Sequence, residues 1–152
     1  MSFSGINSTT SVQVIANNGF YPAVSVQQFA ELYHVPSSYR EAMVVDVLTH
    51  QVHALNAALE RDYVLHWEQY PSLAEVPSEH INGRSALVYY YIKALSCFAK
   101  ADLLLSHQSI SQRESALAEK EQQTEHRAYW LNEGIKARNY LVQSKYRPVE
   151  LL

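Results

Sequence analysis

A chain of 152 residues has room for one domain with a sizeable core, and an apolar content of 47% places it among globular rather than disordered proteins. Only 4 glycines and 5 prolines leave little material for turns, which favours long helices over many short strands. The net charge of −3, with no run of lysine or arginine, argues against a duplex-gripping surface, because phosphate binding needs clustered cations that displace condensed counterions.

Residues 1–19 are rich in Ser, Thr, Asn and Gly around one short β-like run, Val12 to Ala16. They read as a flexible arm, easiest to understand if it lies on a neighbouring chain. With neither a charged n-region nor an apolar h-region, the arm is not expected to be a signal peptide. Phe20-Tyr21-Pro22 opens the folded part, residues 20–147. Ser25 with Gln28 forms a capping-box pattern, and Phe29, Leu32 and Tyr33 follow on one face of a short helix that ends before Pro36. Ser38 and Glu41 repeat the pattern at the head of a long helix expected to reach about Gln69. Its apolar stripe is Val44, Leu48, Val52, Leu55, Leu59 and Tyr63, a helical period with one buried face. A loop from Tyr70 to Asn82 carries Pro71 and Pro77, with Asn82 as the expected cap of the next helix.

That next helix is the centre of the chain. Leu87, Val88, Tyr91, Ile92, Leu95, Phe98, Ala99 and Leu103 cover most of its circumference, and a helix apolar on every side has to be enclosed. Lys93 and Lys100 lie inside it, which argues against a membrane span. Cys97, the single cysteine, rules out an internal disulfide and reads as a small buried hydrophobe. As a nucleophile it has no His or Asn partner assignable from spacing. After His107 a polar linker leads to Ser111 and Glu114, a third capping box, and the last helix runs to about Lys145. One stripe of that helix holds Leu117, Thr124, Ala128, Leu131, Ile135 and Val142. A second holds Tyr129, Trp130, Ala137, Tyr140 and Leu141. Both stripes need cover, either from helices of the same chain or, for one of them, from a neighbouring subunit. Pro148 stops the helix, so residues 148–152 are expected to form an extended tail. The expected fold class is all-α: a bundle of three long helices plus one short N-terminal helix, with extended N- and C-terminal arms.

Little of the sequence points to chemistry. His50 and His53 lie one turn apart but opposite the apolar stripe of their helix, and read as a solvated pair. Glu31 and His34 supply one Glu-x-x-His where a di-iron bundle needs two. No Ser-His-Asp, Walker or Rossmann pattern appears, and Gly83 stands alone. No enzyme activity, cofactor, metal site or catalytic residue is therefore expected. Eleven tyrosines and two tryptophans are more informative, since tyrosine at an interface contributes both contact area and a hydroxyl. The candidate interface residues are Phe20, Tyr21, Tyr129, Trp130, Tyr140 and Leu141, with Pro148, Val149, Leu151 and Leu152 in the tail.

Read together, Arg40-Glu41-Ala42, Asn56-Ala57 with Leu59, Leu73-Ala74-x-Val76-Pro77, Ile81-x-Gly83-x-Ser85, Tyr90-Tyr91 and the Trp130 helix carry a resemblance. The chain from Phe20 onward resembles the head completion proteins (L protein family) of temperate contractile-tailed phages, and more broadly the helical head-to-tail connector adaptors. That resemblance implies a structural virion protein at the neck, made in the host cytoplasm. Such a protein binds the portal after DNA packaging, closes the filled head and offers a docking surface to the next neck, stopper or tail-completion protein. Its implied partners are the portal protein and neighbouring copies of itself in a ring, a dodecamer matching the portal. DNA would pass through the channel without sequence-specific binding, and a mildly acidic lining would keep the duplex sliding. The alternative is an assembly chaperone or scaffold absent from the mature particle.

Overall fold

A computed structural model describes residues 13–61, 67–111 and 117–146. Among these the chain is mostly helical, with α1 (Val26–Leu32), α2 (Glu41–Arg61), α3 (Ala86–Ser111) and α4 (Leu117–Tyr146). Two antiparallel two-stranded sheets, which an all-α reading overlooks, join them. In the first, β1 (Val14–Ile15) pairs with β2 (Val24–Ser25), Val14 opposite Ser25. In the second, β3 (His80–Ile81) pairs with β4 (Arg84–Ser85), His80 opposite Ser85.

The N-terminal arm does not wait for a neighbour: from Gln13 onward it belongs to this chain's own fold. The first sheet is closed by a bond from the Val26 N–H to the Gln13 carbonyl at 3.1 Å. Between its strands, the Asn18 side-chain oxygen accepts from the Phe20 and Tyr21 amides at 3.0 and 3.1 Å, a local turn that asparagine is suited to make. Ser25 caps α1 as the sequence indicates, its hydroxyl accepting from the Gln28 amide at 3.2 Å.

Helix α2 begins later than Ser38 suggests. The Arg40 carbonyl accepts from the Val44 amide, and residues 36–39 form a separate turn closed by Tyr39 on Pro36. The stripe Val44, Leu48, Val52, Leu55 and Leu59 is buried along one face, at about 2 kcal/mol per fully buried large side chain. The expectation that this helix reaches Gln69 is corrected, because the helix is described to Arg61 and Trp67 already lies in a turn. Tyr63 lies outside the described residues.

A one-turn 3₁₀ helix, Leu73–Glu75, buries Leu73 and is followed by buried Val76. The second sheet then turns at Asn82 and Gly83, with φ of 55° and 72°. Two consecutive left-handed residues are what a two-residue hairpin requires, and Asn-Gly is the favoured pair. Asn82 therefore makes the turn and does not cap α3. The cap is Ser85, whose hydroxyl accepts from the Val88 amide at 3.4 Å and lies 3.0 Å from the Ser78 hydroxyl.

Helix α3 is enclosed over most of its circumference, with Tyr89 left exposed. Tyr91, Ala94, Leu95, Cys97, Ala99 and Leu103 are buried, with α2 against one side and α4 along another. Tyr90 meets Tyr140 and Phe98 meets Gly134, so α3 and α4 run in opposite senses. At Gly134 an added Cβ would lie 2.8 Å from the Phe98 ring, so a side chain there would have to push the ring aside. A hydrogen bond from the Gln51 amide to the Asp102 carboxylate ties α2 to α3. The polar linker expected after His107 is replaced by helix through Ser111, and Glu114 of the third capping box lies outside the described residues.

One polar cluster fixes the arm to both helices. The Asn17 side-chain amide donates to the Tyr91 hydroxyl at 2.9 Å, that hydroxyl donates to the Asn56 oxygen at 2.6 Å, and the Asn56 amide donates back to the Asn17 oxygen at 2.9 Å. Three hydrogen bonds thus close a ring, and the Asn17 amide also reaches the Pro22 carbonyl at 2.9 Å. Tyr21 stacks on Tyr91 at 4.9 Å with the rings 9° from parallel. Tyr91→Phe removes the hydroxyl but not the packing, leaving two amide side chains short of a partner. The expected cost is about 1–3 kcal/mol, or about 2–4 °C in Tm for each kcal/mol in a chain of this size. Thermal unfolding followed by circular dichroism checks it, and an unchanged Tm would mean that the ring contributes nothing.

Candidate functional site

The hollow of interest opens where the covering of α3 is incomplete. Its volume is about 440 Å³, and its walls come from β1, β2, α1, Arg84 of β4, the Tyr89-to-Ser96 face of α3, and Trp130 of α4. Local folding places each wall. The Ser25 cap sets α1 so that Phe29 and Tyr33 turn inward, while Leu32, expected on the same face, stays 71% exposed at the rim. The rim also carries Val14 and Tyr89, both about half exposed or more.

Aromatic contacts shape the floor. Phe29 and Tyr33 lie 5.6 Å apart, and Trp130 meets Tyr33 edge-on at 5.5 Å. Tyr129 extends the surface outward, 5.0 Å from Trp130 and itself exposed. Two cations sit on rings: the Lys93 ammonium is 5.6 Å from the centre of Tyr33, and the Arg84 guanidinium is 5.9 Å from that of Tyr89. Among the described residues neither cation is paired with a carboxylate, whereas Lys136 bonds Glu133 at 3.1 Å. A second, more open hollow lies across Tyr89 and Lys93, lined by Tyr90, Glu133 and Tyr140.

The candidate interface residues fall into three groups. Trp130 lines the groove with Tyr129 exposed beside it, and Tyr140 lines the neighbouring hollow while stacking on Tyr90 at 3.9 Å. Phe20, Tyr21 and Leu141 are engaged inside the chain: Phe20 packs near Trp67 and Tyr21, Tyr21 on Tyr91, and Leu141 is fully buried. Pro148, Val149, Leu151 and Leu152 lie outside the described residues. On α4 it is the stripe with Ala137 and Leu141 that turns inward, and Ile135 of the other stripe remains exposed. Sequence reasoning passed over Arg84, Leu32 and Lys93 as groove residues. The available signal was Lys93, one of the few charges set into a mostly apolar helix.

Of the other candidates, His50 and His53 are both exposed. His34 follows the end of α1 with a φ of 51°, so Glu31 and His34 do not share a helical face. Among the described residues no three His, Cys, Asp or Glu side chains are grouped to hold a metal ion, and no helix is long and apolar enough to cross a membrane.

Burial sets the titration of the groove. Tyr33 is pushed up to about 12, mainly by desolvation and then by the neighbouring Cys97. Tyr91, stacked on Tyr21 away from the groove, is also pushed up to about 12 by burial, against the Asn17 hydrogen bond, which favours the phenolate. Burial raises the Cys97 thiol as well.

The groove is thus open, aromatic and edged with two cations that no carboxylate pairs among the described residues. The sequence matches the phage head completion protein (GPL) family over residues 15–151, and the chain belongs to that family. No curated protein and no solved structure matches it. Membership gives the chain a part in completing the phage head, and with it contact with other head or tail components.

The tyrosine shifts fix an alkaline limit. Tyrosine ordinarily titrates near pH 10. Between pH 10 and about 12 the unfolded chain loses protons that Tyr33 and Tyr91 keep in the fold. Stability is therefore complete below pH 10 and falls as pH rises through this window, by up to about 1.4 kcal/mol per pH unit for each tyrosine. Tm measured from pH 9 to 12 should fall steeply above 10, and less steeply in Tyr33→Phe. Identical slopes in the two proteins would contradict the assignment.

Proposed function

We propose that this protein is a virion neck protein, a connector adaptor that binds the portal after DNA packaging, closes the filled head and offers a docking surface to tail or stopper proteins. In this reading the three long helices α2, α3 and α4 act as a bundle that holds the groove rigid. Copies arranged in a ring around the portal axis, a dodecamer, leave a channel for DNA, and the mild net negative charge discourages the duplex from sticking. The protein would be made in the host cytoplasm and end in the particle.

The observation that carries the reading is a docking groove left open on a chain of the head completion family. The core of α3 is satisfied within the chain, so the exposed apolar groups at Leu32, Tyr89 and Tyr129 are surplus to folding. In this reading Tyr129, Trp130 and Tyr140 serve as interface residues, and Pro148, Val149, Leu151 and Leu152 supply a tail for a neighbour. Electron microscopy of the purified protein mixed with its cognate portal ring tests the proposal. An added ring beneath the portal is expected, and its subunits can be counted. A bare portal at every mixing ratio would overturn the adaptor role in favour of an assembly chaperone or scaffold.

A further inference from the structure

We propose that the groove receives residues 148–152 from a second copy of this chain. The inference rests on the reading of the groove as a docking surface and assigns its occupant.

The groove selects by chemistry. Its floor is aromatic and aliphatic, its rim exposes Val14, Leu32 and Tyr89, and its charged groups are Arg84 and Lys93. A matching ligand is a short segment with apolar side chains and a carboxylate among them. The chain carries one. After Pro148, which stops the helix, come Val149, Glu150, Leu151 and Leu152. In extended chain successive side chains alternate in direction. Val149 and Leu151 then enter the floor together, and Glu150 turns to the rim, where the two cations lie.

Geometry selects the copy. Trp130 lies sixteen residues before Tyr146, the last residue of α4. At 1.5 Å per residue that is about 24 Å along the helix. Leu151, five residues beyond Tyr146, reaches at most about 18 Å from it when fully extended. A chain's own segment therefore falls short of the groove end formed by Trp130 and Leu32, so a segment seated against Trp130 comes from another copy.

The test is binding in trans. A fluorescein-labelled peptide of residues 145–152 is titrated into the full-length protein and followed by anisotropy. Saturable binding is expected, weakened about tenfold or more by Arg84→Glu with Lys93→Glu in the protein. Circular dichroism verifies that this surface variant keeps its helix content. The same peptide with Glu150→Lys should bind the wild-type protein poorly and regain affinity for the charge-reversed variant. No saturation up to millimolar protein, or affinity indifferent to both charge reversals, would overturn the proposal. A protein that adds a ring to the portal but ignores the peptide would fail this inference alone and leave the adaptor role standing.

Discussion

A helix apolar around its whole circumference has to be covered on every side, and α3 organises the fold by that demand. Helix α2 covers one side with its Val44-to-Leu59 stripe, and α4 covers another, brought close by the missing side chain at Gly134. A third side is covered by the N-terminal arm, which has no helix of its own there and is held by the hydrogen-bond ring of Asn17, Asn56 and Tyr91. Such a ring suits a buried position because each of its members satisfies another, and a half-satisfied version would be worse than an apolar contact. Where these three covers stop, the face of α3 carrying Tyr89 and Lys93 meets solvent, and the groove is that gap.

The same division explains why, Trp130 apart, the residues that carry the family resemblance are not the groove residues. Leu73 and Val76 are core, Gly83 completes a hairpin turn that needs a left-handed backbone, and Ser85 caps α3. Asn56 closes the ring on Tyr91. These positions build the platform. Leu32, Arg84, Tyr89 and Tyr129 stand on it, exposed to solvent.

Much of the platform was legible in the sequence, because helical period and capping chemistry are local. The α2 stripe, the Ser25 cap and the burial of Cys97 follow from spacing alone. The second sheet did not follow, since Asn82 serves equally well as a cap or as a left-handed turn residue, and only the pairing of His80 with Ser85 decides. On α4 the two stripes were both apolar enough to be inside, and the stripe that turned inward lies beside Gly134, where α4 comes close to Phe98 of the partner helix. The arm looked unstructured because its anchor is 74 residues away at Tyr91. The groove was the least legible part, being formed by α1, α3 and α4 together, with no motif of its own.

Hydroxyl-radical footprinting of the free protein and of the protein in completed heads tests the central claim that the groove is the surface used in assembly. Leu32, Tyr89 and Tyr129 should be oxidised readily in the free chain and protected in the particle, while Tyr91 is protected in both. Equal oxidation of Leu32, Tyr89 and Tyr129 in the two states would contradict the account and move the interface to another face of the molecule.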